Sequence, residues 1–270
     1  MALPARADQA MRAASASAAP LDTYKFYAGE GGIRRLRGVH PRRAVDARGA
    51  ADLGSAREQL AKDGLQVHDY VCDVSKAEDI SATCDSIVKQ HGRIDILVNN
   101  TGGPPPSPAG GQALDVWRKH FDSMILSVIA ITDRVLPGMR TRKWGRIITS
   151  TSMGVIAPIP NLGISNTLRA SLVGWSKTLS REVAKDGITV NVMAPGRIDT
   201  DRVKSIDAGV AKRDGKSVEE VAAASAATIP MGRYGTPAEF ADVAAFLASQ
   251  RASYVTGSTI RVDGGVIPNV

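Results

Sequence analysis

The sequence predicts an α/β fold, in which helices cover both faces of a doubly wound parallel sheet. From about residue 64 onward, short apolar runs alternate with longer stretches of helical periodicity. This alternation is typical of consecutive right-handed βαβ units. The chain has 270 residues, of which 43% are hydrophobic, so it is long enough to bury one large core in a single domain.

The predicted strands are short apolar runs, as expected where both faces of a parallel strand are covered. They lie at residues 65–74, 94–99, 145–150, 188–193 and 258–262.

Helices are predicted between these strands at residues 76–91, 114–136 and 168–184. Another helix is expected after Thr236, because Thr-Pro-Ala-Glu combines a capping residue with Pro in the first turn. Residues 201–228 are rich in Ala, Lys and Ser, and we expect them to form a mobile helical lid.

The first part of the chain does not follow this pattern. Residues 1–57 hold ten Lys and Arg against five Asp and Glu, and residues 34–48 carry six arginines without a strand-like apolar run. A doubly wound sheet needs a buried first strand here, and the pattern does not indicate one. We therefore divide the chain into a degenerate, irregular basic segment at 1–57 and a domain at 58–270. One hypothesis is that the segment arises from a shifted reading frame.

Composition excludes several classes of function. The net charge of +7 comes mostly from residues 1–57, and no aromatic residues alternate with the arginines, so a nucleic-acid partner is not expected. No apolar stretch reaches the length of a membrane-spanning helix. The two cysteines, Cys72 and Cys84, match no zinc or redox motif, which favours a cytoplasmic protein with reduced thiols and no metal.

Four polar or turn residues directly follow apolar runs, namely Asp73, Asn99, Ser152 and Pro195. Because the carboxyl ends of parallel strands meet at one edge of a sheet, where ligands bind, these residues should converge there. The alternative is that they merely punctuate turns.

Several motifs resemble those of the short-chain dehydrogenase/reductase family, especially its 3-oxoacyl-acyl-carrier-protein reductase branch. Residues 72–74 (Cys-Asp-Val) resemble the family's adenine contact, and residues 99–102 (Asn-Asn-Thr-Gly) resemble its Asn-Asn-Ala-Gly beside the adenosine ribose. Residues 195–200 resemble the loop that holds the nicotinamide amide. The C-terminal signature is matched at 230–237, 254–257 and 262–265.

The resemblance implies a Rossmann-like fold and an NADP or NAD cofactor, with NADP slightly favoured. The cofactor-binding residues that it implies are Asp73, Val74, Asn99, Asn100, Gly102, Arg169, Pro195, Gly196, Ile198 and Thr200. The family's glycine-rich phosphate loop is missing. Its place falls near residues 28–33, where the glycines form either a flexible loop or a weak phosphate site.

The catalytic motif also departs from the family, which has a Ser, then a Tyr thirteen residues later and a Lys four residues further. The corresponding positions hold Ser152, Ser165 and Arg169, and Met124 replaces an upstream Asn. No tyrosine lies between residues 71 and 233. A serine hydroxyl is a far weaker acid than a phenol, and Arg differs from Lys in geometry and cannot deprotonate.

Two interpretations of these three residues stay open. In the first interpretation, Ser152 and Ser165 hold a substrate oxygen while Arg169 binds a ribose or an acidic substrate. In the second interpretation, all three are ordinary packing residues. The first implies an NAD(P)-dependent reductase of small carbonyl or alcohol substrates, with 3-oxoacyl thioesters as the default. The second implies a catalytically silent nucleotide-binding or regulatory homologue. The resemblance further implies a homotetramer or homodimer, and an apolar face at 240–247 suits either an interface or the core.

Overall fold

The computed structural model describes residues 24–27, 36–41 and 67–269 of the chain. A seven-stranded sheet has the order β3-β2-β1-β4-β5-β6-β7. The strands are β1 (Tyr24–Tyr27), β2 (Leu36–Pro41), β3 (Val67–Cys72), β4 (Ile96–Asn99), β5 (Gly145–Ser150), β6 (Ile188–Pro195) and β7 (Thr259–Val262).

The predicted parallel sheet is confirmed, with one exception among the described strands. Strands β4 to β7 pair in parallel, as do β2 and β3, whereas β1 runs antiparallel to both β2 and β4. Strand β2 lies within 34–48, where we predict no strand, so that prediction is wrong. Its sequence, Leu-Arg-Gly-Val-His-Pro, lacks an apolar run. The pairing of its backbone with strands on both sides cannot be recognised from the side chains.

The helices follow the predicted order with small shifts at their ends. They are α1 (Ala77–His91), α2 (Leu114–Phe121), α3 (Ser127–Arg142), α4 (Gly163–Val183), α5 (Asp201–Asp214), α6 (Val218–Ala227) and α7 (Pro237–Ala248). The expected cap of α7 is confirmed, because Thr236 and Glu239 form a reciprocal capping box. The single helix predicted at 114–136 is instead interrupted by a π-helical turn at Asp122–Leu126.

Two buried clusters lie on opposite faces of the sheet. The larger packs side chains of α1, α3 and α4 against the sheet, and the smaller packs α7 against β4, β5 and β6. In α7, Leu247 is 1% exposed and belongs to the core, whereas Phe246 is 44% exposed. The apolar face at 240–247 is therefore largely core, with one aromatic ring left at the surface.

Within residues 67–269, none of the helices combines the length and the apolarity that a membrane crossing requires. The same part of the chain holds no group of three or more His, Cys, Asp or Glu side chains placed to bind a metal.

Candidate active site at the carboxyl edge of the sheet

The ends of β4, β5 and β6 are tied together by side chains at the carboxyl edge of the sheet. The Asn99 amide donates to the Thr149 hydroxyl (3.3 Å) across β4 and β5. The Thr151 hydroxyl donates to the Met193 carbonyl (3.1 Å) across β5 and β6. These bonds fix the spacing of the loops that follow each strand.

Arg169 joins two of these loops from the side of α4. Its guanidinium donates to the carbonyls of Thr101 (3.1 Å) and Gly102 (3.2 Å) after β4, and to the carbonyl of Ser150 (3.4 Å) at the end of β5. The side chain is only 8% exposed. A buried guanidinium needs several acceptors to offset its lost hydration, and backbone carbonyls at the strand ends supply them here.

Ser152 lies two residues beyond β5, at the start of a short turn of 3-10 helix. Its hydroxyl accepts a hydrogen bond from the amide of Gly154 (3.1 Å), which holds the side chain in one orientation. A Cβ on Gly154 would overlap the Asn166 side-chain oxygen and lie 3.4 Å from the Ser152 hydroxyl. Gly154 therefore allows the Asn166 amide, which donates to the Ile159 carbonyl (2.8 Å), to lie close to Ser152.

Ser165 is half-buried and precedes Arg169 by one turn of α4. Residues four apart on a helix are neighbours with Cβ atoms about 5–6 Å apart. Ser165 and Arg169 therefore face the same side of α4, the side on which Arg169 reaches the strand ends.

The loop after β4 forms one wall of this region. The Ser107 amide donates to the Asn161 carbonyl (2.8 Å), and the Gly163 amide donates to the Ser107 carbonyl (3.0 Å). The Pro- and Gly-rich stretch at 102–111 is thus attached to the start of α4 rather than free.

Two buried polar atoms at the end of β4 have no hydrogen-bond partner among the described residues. They are the side-chain oxygen of Asn99 and the hydroxyl oxygen of Thr101. Buried polar atoms are normally paired in folded proteins, and exceptions are often found where a ligand binds. The site thus has unused hydrogen-bonding capacity beside the Asn-Asn-Thr-Gly segment.

The loop after β6 is held by backbone contacts on both sides. The Gly235 amide donates to the Arg197 carbonyl (2.9 Å), and the Asp199 amide donates to the Gly235 carbonyl (2.8 Å). These bonds place Ile198 opposite Gly235 in a short β-bridge. A Cβ on Gly196 would lie 2.7 Å from the Cα of Asp263, so only glycine fits there.

Thr200 ends this loop and begins α5. Its hydroxyl accepts from the amide of Val203 (3.4 Å) as the helix cap and donates to the Ile198 carbonyl (3.3 Å). The same hydroxyl that the family resemblance assigns to the cofactor thus also caps the helix.

An ion pair with a buried carboxylate fastens α5 to this loop. Asp207, which is 2% exposed, accepts from the Arg197 guanidinium (2.6 Å) and from the Tyr234 hydroxyl (2.9 Å). Burial raises the pKa of the Tyr234 phenol above its ordinary value, so it is a poor proton donor or acceptor near neutral pH. Tyr234 therefore does not replace the missing catalytic tyrosine.

Asp73 lies at the same edge but at the far end of the sheet. Strands β2 and β1 separate β3 from β4, which puts Asp73 roughly 14 Å from Asn99 at about 4.8 Å per strand. Hydrogen bonds from the hydroxyl (2.6 Å) and the amide (3.1 Å) of Ser75 hold the pKa of its carboxyl below the ordinary range. Val74 is buried in the larger core cluster, so its side chain packs inward.

The comparisons with known proteins agree with this architecture. A family model described as enoyl-(acyl carrier protein) reductase matches residues 44–267. A 3-oxoacyl-(acyl-carrier-protein) reductase of Vibrio cholerae is 34% identical over 230 residues, covering 81% of this chain and 88% of the relative. Dehydrogenase/reductase SDR family member 4 of Bos taurus is 33% identical over 241 residues, covering 88% and 82% respectively. The chain belongs to the short-chain dehydrogenase/reductase family.

Solved structures of the family include close matches in backbone geometry. L-sorbose reductase of Gluconobacter frateurii, complexed with NADPH and L-sorbose, has a TM-score of 0.77 and 32% identity, covering 82% of this chain and 84% of that one. Actinorhodin polyketide ketoreductase with NADPH has a TM-score of 0.76 and 30% identity, covering 80% and 84%. The family match begins within the segment at 1–57 that the sequence pattern describes as irregular.

A short-chain dehydrogenase/reductase site normally includes an Asn where this chain has Met124. Met124 is 2% exposed and lies in the π-helical turn between α2 and α3. The position is thus filled by an apolar side chain that packs into the core, and it offers no amide to a water molecule.

Two residues of the site have no counterpart in the sequence-based prediction. Asn166 lies beside Ser152, and the Arg202 guanidinium reaches Gly103 in the loop after β4. Asn166 directly follows Ser165 and could have been suspected from that adjacency. Arg202 is an exposed residue in a charged helix, and nothing in the sequence distinguishes it from its neighbours.

Proposed function

We propose that this short-chain dehydrogenase/reductase reduces a small carbonyl compound at the ends of β4, β5 and β6, using NADPH or NADH. The observation that carries the proposal is the position of Arg169, whose guanidinium spans the ends of β4 and β5 close to Ser152. A cation and a fixed hydroxyl at one strand edge can bind a sugar hydroxyl and a carbonyl oxygen together.

Each proposed site residue has a specific part in this reading. Ser152 donates its hydroxyl hydrogen to the substrate carbonyl oxygen, because its own lone pair already accepts from the Gly154 amide. Ser165, on the same face of α4 as Arg169, passes a proton from solvent water to that oxygen. Arg169, at the position of the family's lysine, donates a hydrogen bond to the nicotinamide ribose.

The described half of the site fits a nicotinamide dinucleotide. A bound cofactor would supply the hydride that reduces the carbonyl carbon. The unpaired oxygens of Asn99 and Thr101 offer acceptors beside the adenosine ribose, near Asn100 and Gly102. The loop from Pro195 through Gly196 and Ile198 to Thr200 would border the nicotinamide amide, and Asp73 with Val74 would border the adenine. The phosphate-binding segment that we expect near 28–33 lies outside the described residues.

The same geometry also supports a second candidate, a homologue that binds the nucleotide without turning it over. The observation in its favour is that Ser165 and Met124 hold the positions of the proton-handling Tyr and Asn. The loss of general acid–base catalysis typically lowers rates by 10²–10⁴-fold. Both candidates therefore predict that the cofactor binds, and only the reductase predicts slow turnover.

The test titrates purified protein with NADPH and NADH by fluorescence and then assays a panel of ketones and 3-oxoacyl thioesters. The proposed reductase gives slow turnover that Ser152→Ala abolishes, while cofactor affinity is retained. Ser171→Ala is the control and should keep the rate, because Ser171 is an exposed serine on the same helix whose hydroxyl donates to the carbonyl of Leu168. Binding without turnover would favour the silent homologue, and absence of binding would refute both.

We further expect the protein to act in the cytoplasm as a homodimer or homotetramer. The exposed Phe246 ring on α7 is the feature that supports association. Replacing Phe246 by Ser should shift the oligomer toward monomer in sedimentation analysis.

A further inference from the structure

The loop between β5 and α4 is attached to that helix by the side chain of Asn166. The Asn166 amide donates to the carbonyl of Ile159 (2.8 Å) near the end of the loop. At the start of the loop, the Asn166 side-chain oxygen lies so close to Gly154 that a Cβ there would overlap it. Asn166 therefore contacts both ends of a segment that begins directly after Ser152.

The sequence of this segment explains why it needs such an anchor. Residues 158–160 read Pro-Ile-Pro, and proline has no amide hydrogen with which to join a helix or a sheet. The backbone bonds of residues 152–157 close turns within that stretch. The bond from the Asn166 amide to the Ile159 carbonyl is thus what joins the proline-flanked end of the loop to α4.

Ser152 lies between two points that α4 fixes. On one side, the Arg169 guanidinium donates to the carbonyl of Ser150 (3.4 Å). On the other side, Asn166 packs against Gly154, whose amide donates to the Ser152 hydroxyl (3.1 Å). A displacement of Gly154 would therefore turn or release this hydroxyl.

Asn166 and Ser165 point to different sides of α4. Neighbouring residues on a helix are about 100° apart around its axis, so Ser165 and Arg169 face the strand ends while Asn166 faces the loop. We propose that Asn166 is a positioning residue that holds the Ser152 hydroxyl at a fixed distance from Ser165. It acts through Gly154 and touches neither substrate nor cofactor. The inference rests on the proposed function, in which both hydroxyls act on the substrate oxygen.

The first test compares turnover with cofactor binding in two variants. N166A removes both contacts, whereas N166D keeps the size of the side chain and replaces the donor by a carboxylate oxygen that repels the Ile159 carbonyl. Each should lower kcat for the ketone panel at least tenfold, because a misplacement of about 1 Å can lower rates roughly 10²-fold. The dissociation constant of NADPH, measured by fluorescence, should not change, because the side of α4 that carries Arg169 is intact.

Thr167→Ala is the matched control. Thr167 is the exposed neighbour of Asn166, and its hydroxyl donates within α4 to the carbonyl of Gly163 (2.9 Å). Its loss removes a hydrogen bond from the same turn of the helix without touching the contacts of Asn166 with the loop. This variant should keep both kcat and the affinity for NADPH.

A double-variant cycle tests the contact between Asn166 and Gly154. Gly154→Ala should lower kcat at least tenfold in the wild-type background, because the new Cβ overlaps the Asn166 oxygen. In N166A that overlap is gone, and the new Cβ would lie 3.4 Å from the Ser152 hydroxyl, an ordinary contact distance. Gly154→Ala should therefore lower kcat much less in N166A than in the wild-type protein.

Amide exchange gives a readout of the same geometry that does not need turnover. The Gly154 amide hydrogen is held by the Ser152 hydroxyl oxygen, and its exchange with deuterium reports how often that bond opens. NMR on the isotope-labelled full chain should show exchange at least tenfold faster in N166A and N166D than in the wild-type protein. Thr167→Ala should leave the exchange rate unchanged.

Four results would each overturn the inference. They are an unchanged kcat in N166A and N166D, an equal loss in Thr167→Ala, a loss in Gly154→Ala that is the same in both backgrounds, and unchanged exchange of the Gly154 amide. A loss of NADPH affinity as large as the loss of kcat would also count against it, because Asn166 would then support the site in general. A wild-type protein without turnover would contradict the proposed function instead, and the exchange of the Gly154 amide would still decide the role of Asn166.

Discussion

Restoring the family's tyrosine and lysine is the most direct way to ask whether the site has kept its catalytic geometry. The double variant S165Y/R169K places a phenol one helical turn before an ammonium on the buried face of α4. A lysine near the phenol favours its ionised form and lowers its pKa toward the working pH. We expect kcat/KM for a ketone to rise, because the general acid–base group has returned to the position beside Ser152.

The size of the gain follows from the chemistry and the contacts. General acid–base catalysis is worth 10²–10⁴-fold, or about 3–5 kcal/mol of transition-state stabilisation.

The cost in folding stability is expected to be small. Arg169 bonds three backbone carbonyls, and a lysine ammonium has three donors for the same group of acceptors. The loss of stability should therefore be about 1 kcal/mol, the net value of a hydrogen bond.

The assay follows NADPH oxidation at 340 nm with a ketone panel, beside a fluorescence titration of NADPH on each variant. The control is S165F/R169K, which has the same ring and cation without any hydroxyl at position 165, so its rate should not exceed that of the wild-type protein. A folded S165Y/R169K protein that binds NADPH but gains less than tenfold would refute the reasoning. It would mean that the described edge no longer holds Ser152 in a reactive position.

Further experiments test the packing at three places in the protein. Asp207→Asn should lower the free energy of unfolding, measured in urea, by about 2–4 kcal/mol, because Arg197 and Tyr234 lose a buried charged acceptor. Tyr234→Phe should lower it by only about 1 kcal/mol. Equal effects of the two variants would contradict the assigned role of the Asp207 charge. Thr236→Ala should cost about 1 kcal/mol through loss of the α7 capping box, and Thr236→Ser should restore it. Burial raises the pKa of Cys84 to about 12, so its thiol should resist iodoacetamide at pH 8 until the protein is unfolded. Because the folded form keeps its proton longer than the unfolded one, this thiol should lower stability as the pH rises from about 9 to 12, and rapid alkylation of the native protein would show that it is not buried.

The sequence predicts the site best where a motif stands at a strand end. Asn99 and Pro195 follow their apolar runs directly, and the rule that carboxyl ends converge places them correctly. Ser152 follows from the same rule, two residues after β5. To predict these positions, one needs only the strands in their order along the chain and a parallel sheet, and the alternation of apolar runs indicates both.

The remaining parts depend on long-range contacts that a linear pattern does not contain. Arg202 reaches Gly103 across the cleft, about a hundred residues away in the chain, and an arginine in a charged helix gives no sign of this. Strand β2 contains arginine, histidine and proline, and these residue types do not indicate a strand inside a sheet. The sequence does not reveal the break between α2 and α3 either, because Asp-Ser-Met-Ile-Leu fits an ordinary helix as well as a π-helical turn.

The altered catalytic residues leave the framework of the site in place because different residues build the framework. Thr149 and Thr151 join the strand ends, and Ser107 attaches the loop after β4 to α4. None of these contacts uses the positions of the missing Tyr, Lys or Asn. Arg169 even strengthens the edge, since its guanidinium bonds one carbonyl at the end of β5 and another in the loop after β4. A change of chemistry at three positions is therefore compatible with an unchanged cleft, and the same cleft can bind a nucleotide while its proton transfer is slow.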